Sequence, residues 1–185
     1  MTYDPYAALD HQLDGYRAQA ATLRAGYESK TTDINRDPNL SDQGRQEQID
    51  TWKQNTQNQL NAVRAKEDDA IKSATLTLER SIFGYSSSTN PSENISRRDA
   101  EDRAERLEEA GEATALLARA ERVNDPHLAQ AVVRRAVDQG WTRVLDAYNN
   151  EHPGTGEKLQ ALSRIQNAAA NADYTMGRAL AYRVQ

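Results

Sequence analysis

Histidine residues are the first candidates for chemistry in this sequence, because imidazole binds metals and transfers protons near neutral pH. The three histidines, His11, His127 and His152, stand far apart. No pair has the four-residue spacing with which two imidazoles share a metal ion on one helix face. The sequence has no cysteine to complete such a site, form a disulfide or act as a nucleophile. We therefore expect no metal site and no cofactor.

A run of three carboxylates, Glu67, Asp68 and Asp69, is the next candidate. It falls within a predicted helix, where consecutive side chains point in different directions around the axis. A catalytic pair needs two carboxyl groups facing each other across a cleft, about 5–10 Å apart. The three carboxylates do not converge in that way, so we expect them to form a solvated helix surface.

The segment from Gly154 to Lys158 resembles part of a phosphate-binding loop. Glu157 separates the second glycine from the lysine, Leu159 stands where a hydroxyl is required, and no strand precedes the segment. We interpret it as a turn that starts a helix. The sequence also lacks the Gly-x-Ser-x-Gly pattern of serine hydrolases. No catalytic residue is predicted, and we expect that the protein is not an enzyme.

Composition limits the partners further. The 185 residues are 37% hydrophobic and 28% charged, with a net charge of −5 and no basic stripe of the kind that neutralises phosphates. We therefore expect protein partners rather than nucleic acid. No apolar stretch approaches the 18 residues of a membrane span, and the first residues lack a signal-peptide pattern. These features favour the cytoplasm, the host cytoplasm for a viral protein, or a virion.

The clearest predicted element is a long helix over about residues 5–34. Pro5 suits the first helical turn, and apolar residues then recur with a 3.5-residue period over three heptads. This apolar row, called the seam below, consists of Tyr6, Leu9, Leu13, Tyr16, Ala20, Leu23, Tyr27 and, further on, Ile34. A seam of that width is typical of a helix that packs against one or two others.

A second helix is predicted over residues 42–83, after a turn at Asp37-Pro38-Asn39 and a capping Ser41. Two long helices joined by a short turn favour an antiparallel, coiled-coil-like hairpin. In the predicted register, Leu9 and Leu13 face Leu60 and Val63. The same register sets Tyr16 and Ala20 opposite Thr56, and Leu23 and Tyr27 near Ile49 and Trp52.

The stretch 85–95 is rich in serine and is predicted to be a linker, and Ser86–Ser92 within it is predicted to be the internal site most sensitive to proteases. The periodic segments beyond it predict further helices, among them one over about 97–123 and one over about 157–183. No alternating apolar pattern suggests a strand. The predicted fold is therefore all-α, with a helical hairpin in residues 1–84, a linker in 85–95 and a compact helical bundle in 96–185.

The second helix cannot cover the seam completely, because residues 53–59 are polar. We therefore expect a homo-oligomer, or a subunit of a larger assembly, whose contacts involve part of the seam. The predicted interaction residues are Tyr6, Leu9, Leu13, Tyr16, Leu23, Tyr27 and Trp52. Trp52 is equally compatible with the hairpin interior and with an intermolecular contact, because its own helix is too polar to bury it alone.

The organisation as a whole resembles virion-assembly proteins of tailed phages, such as capsid scaffolding and minor capsid-associated proteins. The resemblance lies in a cysteine-free, helix-rich composition with a long hairpin, a Ser-rich hinge at 86–92 and a compact helical end. It implies a structural or assembly role and assigns no individual residue.

Two other classes stay open. One is a cytosolic helical adaptor, because residues 115–141 have the helix-turn-helix texture of tetratricopeptide units. The other is a type VII secretion substrate of the Trp-x-Gly kind, although Trp52 is followed here by Lys53 and Gln54.

Overall fold

The computed structural model describes residues 5–84 and 91–184, and 87% of that part of the chain is helical. It has eight helices and no strand in the described residues, which confirms the predicted all-α fold. The helices are α1 Pro5–Arg36, α2 Asp42–Phe83, α3 Pro91–Glu105, α4 Ala110–Arg122, α5 Pro126–Gln139, α6 Thr142–Glu151, α7 Gly156–Ala170 and α8 Ala172–Ala181. None of these helices combines the length and the hydropathy that a bilayer span requires.

The chain folds as two compact units whose limits differ from the predicted boundaries at residues 84 and 96. The hairpin unit comprises Ala7–Ala74 and Ala168–Gln185, and the bundle unit comprises Met1–Tyr6 and Thr75–Asn167. The prediction followed helix breakers along the chain, whereas the units follow packing. As a result, α1, α2 and α7 each contribute residues to both units.

The two long helices of the hairpin unit run antiparallel, as predicted. Ala20 and Tyr27 of α1 share a buried apolar cluster with Leu60 and Val63 of α2. Nearer the turn, the Lys30 ammonium lies 6.0 Å from the centre of the Trp52 ring.

The register of the hairpin differs from the predicted one. Ala20 packs with Leu60 and Val63, whereas the prediction set it opposite Thr56. Farther from the turn, Arg17 Nε lies 3.8 Å from Glu67 Oε1. Five residues, 37–41, separate the two helices.

Arg45 and Ser41 stabilise the turn. Arg45 Nε donates to the Ile34 carbonyl at 3.3 Å, and Arg45 Nη2 donates to the carbonyls of Asp37 at 3.1 Å and Leu40 at 3.3 Å. Ser41 Oγ accepts the Gly44 N–H at 3.1 Å, as predicted for a helix cap. One arginine therefore satisfies carbonyls that the end of α1 leaves without helical partners.

Helix α5 is the centre of the bundle unit, where it packs against α3, α4 and α6. Its buried residues are Leu128, Ala129, Ala131, Val132, Val133, Ala136 and Val137. Asp125 caps it by accepting the Leu128 N–H at 3.0 Å, and Gly140 ends it with φ of 69°. The segment Asn124-Asp125-Pro126 therefore starts this helix.

Two predicted helices are each divided in two. The helix expected over 97–123 stops at Glu105 and resumes at Ala110. Between the two helices, Leu107 is buried and its carbonyl accepts from Arg135 Nη2 at 3.2 Å. The helix expected over 157–183 is interrupted at Asn171. The predicted linker also differs: its residues 91–95 belong to α3, and 85–90 lie outside the described residues.

Candidate interaction surface

The predicted interaction residues fall into three groups by exposure. Leu9, Leu13 and Tyr27 are buried, and Tyr6, Tyr16 and Leu23 are half-buried. Trp52 is exposed, with 42% of its surface accessible. Six of the seven therefore face inward to some degree, and Trp52 alone among them offers a large apolar surface to solvent.

The seam is covered in part by the end of the same chain. Tyr182 and Val184 join the buried cluster of Ala20, Tyr27, Leu60 and Val63, with Ala181 packed at its edge. We call α8 together with residues 182–184 the C-terminal arm. The sequence prediction left this part of the seam for a second molecule, whereas the structure fills it with the arm.

Gln57 binds the backbone of the arm. Its side-chain Nε2 donates to the Tyr182 carbonyl at 2.9 Å, and its Oε1 accepts the Val184 N–H at 3.1 Å. The Gln57 side-chain amide therefore pairs with one backbone carbonyl and one backbone N–H of the arm. Gln57 lies in the polar segment that the sequence interpretation treated as a gap in the apolar stripe, so that gap is a binding position for the arm.

Glu67 corrects a second expectation. It was predicted to be solvated, but it is fully buried on α2. Arg178 of the arm donates to it from Nε to Oε2 at 2.8 Å, and Arg178 Nη2 donates to Asp68 Oδ1 at 2.6 Å. Burial by itself would lower the pKa of Arg178, but the hydrogen bonds and charges of the two carboxylates outweigh it and raise that pKa. The carboxylate run therefore anchors the arm electrostatically.

Two tyrosines of the arm complete this anchor. Arg17 Nη2 donates to the Tyr174 hydroxyl at 3.1 Å, and the Arg17 guanidinium lies 5.4 Å from the centre of the Tyr174 ring. Burial, followed by the neighbouring Glu67 carboxylate, raises the pKa of the Tyr182 hydroxyl far above its ordinary value of 10. That hydroxyl therefore releases its proton less readily in the docked arm than in the unfolded chain.

An open groove on the hairpin contains Trp52. Its volume is about 370 Å³, and it is lined by Thr22, Leu23, Gly26, Tyr27, Ser29, Lys30, Asp33, Trp52, Thr56 and Gln59. The floor includes Tyr27 and Thr56, which are buried, while Lys30 and Asp33 on its rim are exposed. The groove therefore combines an apolar anchor with charges of both signs at its edge.

His152, in the bundle unit, has a side-chain hydrogen-bond partner and a stacked aromatic neighbour. Its Nε2 lies 3.0 Å from Glu121 Oε1, and its ring stacks on Tyr148 with centroids 4.2 Å apart. Burial and then the Glu121 charge raise the pKa of the Tyr148 hydroxyl. In the described part of the chain, no three His, Asp or Glu side chains gather in a way that could hold a metal ion. His152 therefore serves as a packing and hydrogen-bonding residue.

The residues that hold the arm were missed by the sequence analysis. Arg178 and Glu67 are 111 positions apart, and Gln57 and Val184 are 127 apart. The one available signal was that the apolar stripe of α2 contains Glu67 between Val63 and Ala70, where a solvated residue is out of place. The remaining partners depend on a long-range approach that no local pattern encodes.

Comparison with known proteins identifies no relative: no family model, curated protein or solved structure matches this chain. Its function is therefore argued from its own residues.

Proposed function

We propose that this chain is a non-enzymatic assembly protein that binds further copies of itself through its helical hairpin. The observation that carries the proposal is Trp52, a tryptophan with 42% of its surface exposed above an open groove. Tryptophan is among the residues that dominate binding energy at protein interfaces, where it fills well-packed pockets. The 42% of the Trp52 surface that stays accessible adds nothing to folding, whereas a contact with another molecule would bury it.

A second copy is the occupant that the groove fits. Its floor offers apolar contact, and its rim carries both Lys30 and Asp33, so a face with the same two charges can pair with it in a two-fold arrangement. The Lys30 ammonium already lies 6.0 Å from the Trp52 ring centre, which holds the ring beside a positive charge. Contact between two such faces would bury both tryptophans.

Within this class, we propose a virion component or capsid assembly factor of a tailed phage. The proposal is supported by the resemblance described above, a long helical hairpin followed by short packed helices. It implies that the protein acts in the virion or in the cytoplasm of the infected host. Mass spectrometry of purified virions, together with the genes beside the coding sequence, would test the phage assignment.

Sedimentation velocity tests self-association directly. Trp52→Glu should weaken association at tens of micromolar by about tenfold or more, because it charges the centre of the contact. Val123→Glu is the matched control: Val123 is 63% exposed and lies after α4, outside the groove. Replacement of Leu13 would be a poor test, because Leu13 is only 6% exposed and its loss would disturb folding. A wild-type protein that stays monomeric at tens of micromolar would overturn the proposal, because association depends on protein concentration.

A helical adaptor is the second candidate, and one groove of the bundle unit favours it. The groove has a volume of about 400 Å³ and is lined by Thr114, Leu117, Ala118, Glu121, Arg122, Ala147 and Glu151. An adaptor would bind a peptide there, and Ala147→Trp would fill the space. Loss of partner binding in Ala147→Trp but not in Trp52→Glu would favour the adaptor over the assembly protein.

A further inference from the structure

The apolar face predicted for one continuous helix over 157–183 is divided between two environments. Its first half is buried, with Leu159, Leu162 and Ile165 in the interior of the bundle unit. Its second half faces solvent, with Met176 65% exposed and Leu180 45% exposed. The division arises because α8 turns a different face, with Tyr174 and Arg178, toward the hairpin.

A single residue separates α7 from α8. Asn171 has an extended backbone, with φ of −77° and ψ of 119°, and its side-chain oxygen accepts the Tyr174 N–H at 3.0 Å. The residues on both sides, Ala168–Ala170 and Ala172, are the strongest helix formers. The break therefore depends on one capping side chain and on the contacts that the arm makes with the hairpin, because local propensity favours a helix through this point.

The contacts of the arm are self-contained. Arg178 binds Glu67 and Asp68, Gln57 binds the backbone at residues 182 and 184, and Tyr182 and Val184 enter the apolar cluster. Every partner in this set lies on α1 or α2. The hairpin of another copy offers the same partners. The arm can therefore dock there through the contacts that it makes within its own chain.

We propose that the C-terminal arm exchanges between copies of this chain, with Asn171 as the hinge. In the exchanged form α7 and α8 are one helix, and each copy places residues 172–184 in the hairpin of the other. The continuous helix over 157–183 is the one that the sequence predicts. The inference rests on the proposed self-association but uses residues other than the Trp52 groove.

Thiol cross-linking tests the exchange, because the natural chain has no cysteine. One variant carries Gln57→Cys and another carries Val184→Cys, two positions that touch in the docked arm. The two variants are refolded together and treated with a short bis-maleimide. A 57–184 link between two chains, at twice the mass of 20.7 kDa, forms only if an arm has docked in another copy.

Three controls define the result. The double variant Gln57→Cys/Val184→Cys shows that the reagent spans the site, since it links within one chain in the unexchanged form. A mixture of Gln57→Cys with Val123→Cys measures random collision, because Val123 is 63% exposed and far along the chain from the arm. Peptide mass spectrometry identifies which cysteines are joined.

Hinge variants should shift the exchanged population. Asn171→Ala removes the cap and continues the alanine run, so it should raise the yield of the interchain link about fivefold per hinge, the equivalent of about 1 kcal/mol. Asn171→Asp keeps a capping oxygen and should leave the yield near that of the parent pair. The proposal would be overturned if the 57–184 interchain link formed in the Asn171→Ala background with no higher yield than the link in the Gln57→Cys and Val123→Cys mixture.

The failure of the arm exchange and the failure of the groove contact can be told apart. If Trp52→Glu abolishes sedimentation of oligomers and the 57–184 link stays at background, the groove proposal stands and the exchange is wrong. If the link persists when both chains carry Trp52→Glu, the exchange stands without the groove.

Discussion

Arg178 of α8 donates from Nε to Oε2 of Glu67 at 2.8 Å, and Glu67 is fully buried on α2. A buried carboxylate is costly unless it is paired, because charge leaves water only with a large loss of solvation. The pair therefore holds α8 on the hairpin, and it explains why a helix without a single fully buried residue of its own stays docked. The stability of the arm should depend on this contact more than on any surface ion pair.

Removal of Arg178 should be strongly destabilising. Arg178→Ala leaves Glu67 with Arg17 at 3.8 Å as its cationic neighbour, and we expect the free energy of unfolding to fall by about 2–4 kcal/mol. Denaturant titration followed by circular dichroism would measure the loss. Arg97→Ala is the control, because Arg97 and Glu101 form a half-exposed pair at 4.0 Å on one helix, and the loss of that pair should cost under about 1 kcal/mol.

Neutralising the buried carboxylate should recover part of that loss. Glu67→Gln in the Arg178→Ala background removes the unpaired charge, so the double variant should be more stable than Arg178→Ala alone. If the stability lost in the double variant equalled the sum of the losses in Glu67→Gln and Arg178→Ala, Glu67 and Arg178 would not interact energetically.

The raised pKa of Tyr182 predicts that the protein loses stability in alkali. Above about pH 10 the unfolded chain releases the Tyr182 proton, whereas the folded chain retains it. The free energy of unfolding should therefore fall as the pH rises, by at most about 1.4 kcal/mol per pH unit from this group. Tyr182→Phe has no such proton, so its stability should fall less steeply.

Unfolding titrations of both proteins between about pH 8 and 11 would measure the difference. Tyr148 also has a raised pKa, but it is present in both proteins and cancels in the comparison. Parallel curves for the wild type and Tyr182→Phe would show that the Tyr182 proton is not linked to folding.

Gly26 is a site for stabilisation. It lies within α1, and no atom stands within 4 Å of the position that a Cβ would take. Gly26→Ala should therefore raise the free energy of unfolding by about 0.5–1 kcal/mol through helix propensity and reduced freedom of the unfolded chain. Gly15→Ala, also unobstructed, should give a similar gain outside the groove. A fall in the denaturation midpoint of both variants would contradict a continuous α1 through these positions.

The capping hydrogen bond of Asp125 should contribute to the stability of the bundle unit. Asp125→Ala removes the acceptor of the Leu128 N–H and should cost about 1 kcal/mol, whereas Asp125→Ser keeps a capping oxygen and should cost less. Thermal unfolding of the three proteins would rank them. Equal losses in the two variants would mean that the cap contributes nothing.

The sequence by itself determined where the two long helices begin and end, because those signals are local. Pro38 and the residues beside it end α1, α2 occupies the predicted 42–83, and Pro126 and Gly140 bound α5. The inward face of α1 was also predictable, since heptad spacing alone assigns Leu9, Leu13 and Tyr27 to one side.

Only the tertiary structure decided what covers that face. The arm reaches the hairpin through pairs such as Gln57 with Val184, more than a hundred residues apart, and neither residue has a local pattern that points to the other. The same contacts accompany the break between α7 and α8, where Asn171 has an extended backbone despite the helix propensity of the surrounding alanines. Interactions between residues close in sequence decide which segments form helices. Which helices then pack together depends on contacts between residues far apart in sequence, and the short-range periodicity of apolar residues carries no information about those contacts.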